Sequence, residues 1–470
     1  MRLKTLLSII GLSTLFACQG NKVADYDIRD YGAKGDSLTD NAEAIQKAID
    51  ACNKAGGGRV IIPGDGVYMT GPFTVASFVD LHLEAHAKLL ANPDEKVYKK
   101  SAFRENKGEG MMWISGENIE QFSISGKGKI DGNGVAFMGK ELDDSYVLKP
   151  VHEFDPRPHV LTLIHGKDIR INNVTIGNSA YWTIHLVGCE DVVVSGVSVL
   201  NNMKIRNGDG IDVDHSKNVR ISDCVIESGD DCICLKNRRE YEDMGSCENI
   251  VVTNCVMSSR SCALKIGSEN MDRISDVVVN NCIIRNSNRG IGIQNRDEGT
   301  VENVMFSNIE VDCKFFSNVW WGKAEPIYVT AYARKPGDHK DAGWRFPKGM
   351  TDYQVGAVTN ISFSNIKCES ENGAFIGADT KDRIQNLTFD QVDMVICKRT
   401  NFEGGIYDKR PCKGDEFVKG KTYGFYMEKA SGVTMRNCSV KWGDTKPVYY
   451  AGNLFTEEVD GFESANFKLK

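Results

Sequence analysis

The sequence has little of what marks the non-globular and membrane-spanning classes of protein. Only 11 of its 470 residues are proline, and beyond the N-terminal segment no stretch reaches the roughly 18 apolar residues of a transmembrane helix. Basic blocks are also missing. Because 57 Lys and Arg stand against 64 Asp and Glu, the net charge is −7, and a nucleic-acid partner is not expected. With 41% apolar residues, the composition predicts a folded chain with a large core.

The N-terminal segment resembles an export signal. A basic start is followed by the apolar run Thr5–Ala17, which is short for a membrane span. Leu15–Cys18 (Leu-Phe-Ala-Cys) resembles a bacterial lipobox, so residues 1–18 are predicted to be a signal peptide and residues 19–25 a linker. A cleaved soluble signal is the alternative. We therefore expect an exported protein, in the periplasm or on the outer membrane of a Gram-negative bacterium, that is attached to the membrane only through a lipid on Cys18.

One amphipathic helix is predicted near the start of the mature chain. The segment Asn41–Ala55 carries apolar residues at three- and four-residue spacing, and Gly56–Gly58 ends it. Strand-like runs follow at Arg59–Pro63 and Val79–Leu83. Residues 26–95 are therefore predicted to form an N-terminal cap with the first coils. The apolar stripe of the helix is Ala44, Ile45, Ala48, Ile49 and Cys52.

From about Met111 onward, short β-branched runs recur, each after an Asn, Asp or Gly that we call the anchor. Successive anchors are 23 to 31 residues apart, except for three gaps of about double length. The residues one and six after each anchor are apolar in all ten runs, whereas the positions between are often polar, as a strand with one buried face requires. The anchors are Asn118, Asp168, Asp191, Asn218, Asn249, Asp276, Asn303, Asn360, Asn386 and Gly432.

Stacking the equivalent strands of successive turns is the simplest way for such short strands to bury their inner faces. The repeat predicts an all-β parallel β-helix over residues 96–470, with the N-terminal helix covering the open end of the stack. A propeller would need about 40 or more residues per blade, and a leucine-rich repeat would need its leucine pattern; neither occurs. Two long polar stretches, Arg334–Thr351 and Cys397–Lys421, are predicted to be loops.

Two neighbouring coils carry acidic turns, Asn207–Asp212 (Asn-Gly-Asp-Gly-Ile-Asp) and Ser228–Cys232 (Ser-Gly-Asp-Asp-Cys). Residues one turn apart lie about 5 Å from each other, so Asp209, Asp230 and Asp231 converge if the turns stack. Clustered carboxylates hold one proton at a raised pKa while another group stays ionised, which supplies the acid and the base for glycosidic bond hydrolysis. The alternative is a pair of tight, solvated turns without a catalytic role.

Five motifs together resemble family 28 of the glycoside hydrolases, the polygalacturonase family, over nearly the whole mature chain. Asp30–Asp36 (Asp-Tyr-Gly-Ala-Lys-Gly-Asp) resembles the opening of that family, Gly126–Gly134 its glycine-rich segment, and Asn178–His185 the strand ahead of its active site. Asn207–Gly210 and Gly229–Cys232 stand where the family has its catalytic Asn-x-Asp and Asp-Asp motifs.

The resemblance implies specific roles for the three carboxylates. Asp230 would be the general acid, Asp209 and Asp231 would jointly hold and deprotonate the water, and hydrolysis would invert the anomeric configuration. It also implies a single-stranded, right-handed parallel β-helix of the pectin-lyase type and a pectic poly- or oligosaccharide substrate of the galacturonate or rhamnogalacturonan type, without a metal or cofactor. We expect a monomer.

Three other functions stay open. One is a polysaccharide lyase, which needs a calcium-binding acidic cluster and a basic residue beside the scissile unit. Another is a hydrolase of a different acidic or galactose-containing glycan on the same fold. A third is a coil stack that binds polysaccharide without catalysis.

Two segments depart from the pattern of the family. Where many members have Gly-His-Gly, this chain has Ser261–Ala263 (Ser-Cys-Ala), and where they have the Arg-Ile-Lys that grips the galacturonate carboxylate, it has Gly292–Gln294 (Gly-Ile-Gln). Loss of two cations leaves either a different sugar in the site or cations supplied from elsewhere. Ordinary endo-cleavage of polygalacturonate is therefore not predicted.

Several nearby residues are candidates for binding the substrate. Lys236, Lys265 and Arg289 either face the cleft or are solvated charges on the coil surface. Trp320–Trp321 and Tyr328 either stack on sugar rings or cover the core. The predicted substrate-binding set is His185, Asn207, Lys236, Lys265, Arg289, Gln294 and Trp321.

The remaining candidates are histidine and cysteine residues. His185 is either a cleft group or a hydrogen-bonded wall residue. Cys262 is not predicted to be a nucleophile, because no motif places a base beside it. A Cys397–Cys412 disulfide stays open in an exported protein. Four of the 15 cysteines fall six residues after an anchor and are predicted to be inward packing residues: Cys224, Cys255, Cys282 and Cys438.

Overall fold

The computed structural model describes residues 24–104, 109–141, 148–150, 156–335 and 353–468. The predicted signal peptide, its Cys18 and most of the predicted linker lie outside the described residues, as does most of the predicted loop Arg334–Thr351. Within the described ranges, no helix is both long enough and apolar enough to cross a membrane.

Nearly all strands belong to three parallel sheets along one continuous coil. Each turn contributes a strand to sheet 1, then one to sheet 2 and one to sheet 3. Each strand pairs in parallel with its equivalent in the next turn. The chain is therefore a parallel β-helix, which confirms the predicted fold class.

Sheet 1 contains Phe73–Thr74, Met111–Glu117, Pro158–Ile164, Ile184–Val187, Ile211–Asp214, Ile233–Asn237, Cys262–Asn270, Arg289–Asn295, Ile327–Ala331, Ala374–Ala378, the start of Thr422–Arg436, and Tyr450–Asp460. Sheet 2 contains Asp25–Asp27, Gly58–Ile62, Val79–Leu83, Ser123–Gly126, Lys167–Asn172, Glu190–Ser195, Lys217–Ser222, Cys247–Thr253, the first parts of Ile274–Ser287, Val301–Cys313, Val358–Ser370 and Ile384–Ile396, the end of Thr422–Arg436, and Glu463–Ala465. Sheet 3 contains Val67–Thr70, Lys88–Ala91, Lys129–Asp131, Thr175–Gly177, Ser198–Leu200, Val225–Ser228, Val256–Ser259, the last parts of the four long strands of sheet 2, and Ser439–Trp442.

The anchors mark the bends at which the chain enters or crosses sheet 2. All ten have positive φ angles between 52° and 64°, for example 56° at Asn218 and 64° at Gly432. Only Gly, Asn and Asp adopt this left-handed conformation readily, which explains the residue types. Stacked anchor side chains also bond to one another, as in Asn249 Nδ2 donating to Asn218 Oδ1 at 3.2 Å. The residues one and six after each anchor are buried, so the predicted register is confirmed.

The three long anchor intervals are single coils with insertions, not two coils each. The strands on either side of each interval pair directly, through Ser123 with Arg170, Val304 with Ile361, and Leu387 with Val433. An insertion in a connection costs little closure entropy and leaves the strand register intact. Two of these insertions contain antiparallel hairpins, which pair Met138–Glu141 with Leu148–Pro150 and Ile406–Asp408 with Phe417–Lys419.

The N-terminal helix Ala42–Lys54 packs on the first coils. The five residues of its predicted stripe are buried and belong to the main core. Gly56 and Gly57 have φ angles of 92° and 113°, which end the helix as predicted. In the described ranges, the 3-10 helices are Ile28–Tyr31, Glu95–Val97, Gly134–Phe137 and Arg239–Met244.

The core consists of side-chain ladders along the coil axis. Phe363 lies between Phe306 and Phe389, with ring centroids 5.1 Å away on both sides. The four cysteines predicted to point inward are at most 3% exposed, so they are packing residues. All the cysteines that the structure describes are free thiols, including Cys397 and Cys412.

Candidate active site

The two acidic turns stack as the coil register requires. Ile211 pairs with Ile233 in sheet 1, so the residues two positions earlier, Asp209 and Asp231, occupy equivalent places on neighbouring turns. The Gly210 N–H donates to the Asp231 carbonyl at 2.9 Å and continues this pairing into the turns. The predicted convergence of Asp209, Asp230 and Asp231 follows from this register.

The glycines of these turns are required by close backbone approach. A Cβ on Gly210 would lie 2.4 Å from the Cys232 carbonyl oxygen, and a Cβ on Gly229 would lie 2.1 Å from the Ile205 carbonyl oxygen. Ser228 holds the two turns together, because its hydroxyl donates to the Gly208 carbonyl at 2.6 Å and accepts from the Asp230 N–H at 3.1 Å. The turns are therefore a rigid double layer and not solvated corners.

The three carboxylates form one compact cluster. One oxygen from each of Asp209, Asp230 and Asp231 lies within 4.8 Å of the other two. Burial, followed by repulsion from Asp231, raises the pKa of Asp230 to about 6. Burial, followed by the charges of Asp212 and Asp230, raises the pKa of Asp209 well above its ordinary value. The cluster therefore retains a proton at mildly acidic pH.

Two lysines balance this negative charge. Lys265 Nζ donates to Asp231 Oδ2 at 2.6 Å, a charge-assisted hydrogen bond. Lys236 Nζ lies 3.1 Å from Asp212 and 3.8 Å from Asp209. Burial alone would lower the pKa of Lys236, but the charges of Asp212 and Asp209 raise it well above its ordinary value. Both ammonium groups therefore stay charged beside the cluster.

Asp230 is held separately from this pairing. Its Oδ2 accepts the N–H of Asn207 at 3.0 Å. Asn207 has a φ angle of 57°, and its side-chain oxygen accepts from Arg157 Nη2 at 3.2 Å. Arg157, which is 1% exposed, also donates to the Arg206 carbonyl at 2.8 Å. The loop before Asp209 is therefore fixed, and it orients Asp230.

A cleft of about 430 Å³ lies over the cluster. Of the predicted substrate-binding set, Asn207, Lys236, Lys265 and Trp321 line it. The full lining is Glu109, Tyr181, Trp182, Arg206, Asn207, Asp209, Asp230, Asp231, Lys236, Ser261, Lys265, Ser268, Glu269, Trp320, Trp321 and Arg334. Aromatic faces among polar and charged groups are the surface that a sugar chain requires.

Three predicted substrate-binding residues do not line the cleft, which corrects the prediction for them. His185 is fully buried, with its Nε2 3.2 Å from Asp214 Oδ2, so it is a wall residue. Arg289 is buried in an ion pair with Glu325, at 3.1 Å. Gln294 donates to the Arg410 carbonyl at 2.6 Å. Each side chain is already used to hold neighbouring backbone or charge within the wall.

Tyr328 and Cys262 are also wall residues. Tyr328 is fully buried, stacks on Phe375 with centroids 5.7 Å apart, and has the Arg289 guanidinium 3.6 Å from its ring centre. Cys262 is 3% exposed, and burial raises the pKa of its thiol. Neither residue is placed to meet a substrate.

The tryptophan side of the cleft is supported by the hairpin Ile406–Asp408 and Phe417–Lys419. Asp408 Oδ2 accepts the N–H of Gly322 at 3.0 Å, and Arg410 Nη2 donates to the Trp320 carbonyl at 3.2 Å. Arg410 and Asp408 form an ion pair at 2.7 Å. The segment that carries both cleft tryptophans is therefore fixed by an insertion from a later coil.

Several lining residues were not predicted from the sequence. Trp182 and Arg206 lie in or directly beside a motif, and that adjacency is the pattern that could have indicated them. The Lys236 ammonium lies 4.3 Å from the centre of the Trp182 ring, a cation–π contact. Arg334 comes from a distant insertion and pairs with Asp297 at 2.8 Å. No local pattern marks it.

The carboxylate cluster also has the ligand type that a hard divalent cation prefers. However, Lys265 and Lys236 already place two positive charges against it, and Lys265 contacts Asp231 Oδ2 at 2.6 Å. The arrangement therefore favours proton transfer by the carboxylates over cation binding.

Taken together, the fold and the site define a parallel β-helix with an acid–base carboxylate cluster in an aromatic-lined cleft. Residues 55–315 match the family described as glycosyl hydrolases family 28. The chain belongs to this family.

The similar proteins agree with this assignment. The chain is 30% identical over 262 residues to a probable polygalacturonase of Vitis vinifera, covering 51% of this chain and 50% of that protein. It is 26% identical over 407 residues to polygalacturonase-2 of Solanum lycopersicum, covering 82% of each. The chain spans about half the length of the Vitis protein and of a Zea mays exopolygalacturonase, 50% and 48%.

Two solved structures share the fold. The hyperthermoactive exopolygalacturonase from Thermotoga maritima has a TM-score of 0.66 at 20% identity, with 89% of this chain and 92% of that chain covered. The family 28 exopolygalacturonase of Yersinia enterocolitica has a TM-score of 0.70 at 18% identity, with 93% and 78% covered. The coil is therefore the right-handed β-helix that the resemblance implied.

The raised pKa of Asp230 predicts a pH-dependent change in stability. Its carboxyl is harder to ionise in the folded protein than in the unfolded chain, so folding stability is lost as the pH rises from about 4 through about 6. Asp230→Asn is therefore expected to raise the free energy of unfolding by about 1–3 kcal/mol near pH 8 and to change it little near pH 4.

Denaturant unfolding at both pH values measures this difference. Asp444→Asn, which removes an exposed carboxylate outside the cluster, is the matched control and should change stability little at either pH. An Asp230→Asn variant that is less stable than the wild type near pH 8 would contradict the buried, repelled state of this carboxyl.

Proposed function

We propose that the protein is an inverting glycoside hydrolase that cleaves glycosidic bonds in pectic poly- or oligosaccharides of the galacturonate or rhamnogalacturonan type. The observation that carries the proposal is the stacked cluster of Asp209, Asp230 and Asp231 at the base of an aromatic-lined cleft, in a chain that belongs to family 28. The curated relatives named polygalacturonase support the substrate class.

Asp230 acts as the general acid in this proposal. A general acid must carry a proton near the working pH, and the raised pKa of Asp230 fits that requirement. The Asn207 N–H keeps its carboxyl oriented. Asp230 protonates the glycosidic oxygen as the bond to the leaving sugar breaks.

Asp209 and Asp231 hold the attacking water and take its proton. Asp231 contacts the Lys265 ammonium at 2.6 Å, and in this proposal it is the carboxylate that accepts the proton, since burial and neighbouring carboxylates raise the pKa of Asp209. Asp209 lies on the equivalent position of the preceding turn, which allows both carboxylates to bind one water. Trp320 and Trp321 offer faces on which sugar rings stack.

Inversion is proposed from the family, since the spacing alone does not favour it. Inverting pairs typically separate their carboxyl groups by about 6.5–9.5 Å, whereas the nearest oxygens here lie within 4.8 Å. The anomer of the first product therefore tests the stereochemistry directly. Release of the retained anomer would overturn inversion without overturning hydrolysis.

The first functional prediction concerns loss of the carboxylates. Asp209→Asn, Asp230→Asn and Asp231→Asn are each expected to lower the rate of hydrolysis by about 10³-fold or more while the fold is retained, because each removes proton transfer or water activation. Reducing-sugar release from a panel of pectic polysaccharides, with circular dichroism as the fold check, measures the effect. Cys397→Ala is the control outside the cleft. Near-wild-type hydrolysis by Asp230→Asn would reject the proposed mechanism.

The same assay separates hydrolysis from lyase action. A lyase would release an unsaturated, ultraviolet-absorbing product and would stop when calcium is chelated. A hydrolase would do neither. Among the described residues, the acidic cluster is where a lyase would bind calcium, and the two lysines paired with it oppose the binding of a cation there.

The second functional prediction concerns pH. We expect kcat/KM to fall about tenfold per pH unit above an apparent pKa near 6, because the cluster loses the proton that the leaving group needs. The Lys265 charge lowers the pKa of Asp230, so Lys265→Met should move this alkaline limb to higher pH. Lys441→Met, at an exposed position, should leave it in place. If Lys265→Met leaves the alkaline limb unmoved, the ionisation seen in the pH profile is not that of Asp230.

We also propose that the protein is exported and anchored through a lipid on Cys18, which becomes the first residue of the mature chain when the residues before it are removed on export. The lipobox-like Leu15–Cys18 supports this. Labelled palmitate is expected to be incorporated into the wild type and lost in Cys18→Ala, while Cys397→Ala keeps it. Equal labelling of Cys18→Ala and the wild type would place the lipid elsewhere.

A further inference from the structure

The cations that line the cleft differ in whether they are already paired. Lys236 pairs with Asp212 at 3.1 Å, Lys265 with Asp231 at 2.6 Å, and Arg334 with Asp297 at 2.8 Å. Arg206 has no side-chain hydrogen bond or ion pair to any residue in the described ranges. Its guanidinium is therefore the cleft cation that remains available to a ligand.

The placement of the Arg206 side chain leaves a donor for a ligand. It is half-buried, and its Nε is enclosed without a hydrogen-bond partner in the part of the chain that the structure describes. A buried donor without a partner costs free energy, which a ligand oxygen can recover. Its backbone is fixed, because its carbonyl accepts from Arg157 at 2.8 Å. The next residue, Asn207, donates to Asp230, so Arg206 lies beside the proposed acid.

The segment Gly292–Gln294 cannot supply this charge. Gly292 has no side chain, and Gln294 donates to the Arg410 carbonyl inside the wall. The nearby Arg289 is neutralised by Glu325. The hairpin that carries Arg410 therefore contacts the segment at which family members have the carboxylate-binding Arg-Ile-Lys. A substrate carboxylate must bind elsewhere in the cleft.

We propose that Arg206 binds a carboxylate of the sugar chain and makes this cleft selective for uronate-containing glycans. A guanidinium meets a carboxylate with two parallel N–H bonds, which gives both charge and orientation. The cleft is rich in carboxylates, so an anionic substrate requires one unpaired cation to offset repulsion. The proposal rests on the proposed function, because it names the charge class of the substrate of the same cleft.

The test compares two ligands that differ only in charge. Trigalacturonate and its carboxyl-reduced, neutral counterpart are titrated by calorimetry into the Asp230→Asn protein, which does not consume them. We expect trigalacturonate to bind more tightly. Adding Arg206→Gln should weaken its binding about 10- to 100-fold, the loss of one charge-assisted bidentate contact, and should change binding of the neutral ligand less than twofold.

Two further variants make the result specific. Arg206→Lys keeps the charge but loses the paired donors. Its affinity for trigalacturonate should therefore lie between those of the Asp230→Asn parent and of the same protein with Arg206→Gln. Arg220→Gln removes an exposed arginine on sheet 2 and should bind both ligands as the parent does. Equal affinity of the parent for the two ligands, or an equal loss for both in Arg206→Gln, would overturn the proposal. Because these are binding measurements, such a result leaves hydrolysis standing, whereas failure of the proposed function would appear as absent turnover.

Discussion

The parallel hydrogen-bond register between successive coils is the constraint on which the rest of the structure depends. Each turn repeats the same bend at an Asn, Asp or Gly with positive φ, and this bend places equivalent residues about 4.8 Å apart along the axis. Because the register continues into the turns, it places Asp209 one turn away from Asp231. The same register aligns every other pair of equivalent residues. The active site is therefore a local consequence of a global repeat.

Placing several carboxylates at one strand spacing creates repulsion that the protein must offset. Lys265 and Lys236 offset this repulsion with two buried ammonium groups. One contacts Asp231, and the other lies between Asp212 and Asp209. The compensation is uneven, since Asp230 receives an N–H from Asn207 and no ion pair from the residues that the structure describes. Unequal compensation separates the proton affinities of neighbouring carboxylates, and an acid and a base can then coexist in one cleft.

The insertions decide the shape of the cleft without disturbing the coil. The hairpin that contains Asp408 and Arg410 reaches back to the tryptophan segment and to Arg289 and Gln294. Arg289 and Gln294, which could have bound a sugar, instead contact other residues of the wall. Among the described cleft residues, the unpaired guanidinium belongs to Arg206, on another turn. A family fold can in this way keep its carboxylate cluster while it relocates the groups that surround the substrate.

The sequence by itself determined the coil, its register, the capping helix and the identity of the clustered aspartates, because these depend on periodic burial and on residues that tolerate a left-handed bend. It left open whether each of the three long intervals is two coils or one coil with an insertion, since spacing alone cannot distinguish them. It also misplaced His185, Arg289 and Gln294, because a polar residue near a motif has the same local pattern whether it faces the cleft or the wall. Only the tertiary structure decided which cations are paired, since Glu325 and Asp297 meet their arginines across neighbouring coils, 36 and 37 residues away in the chain.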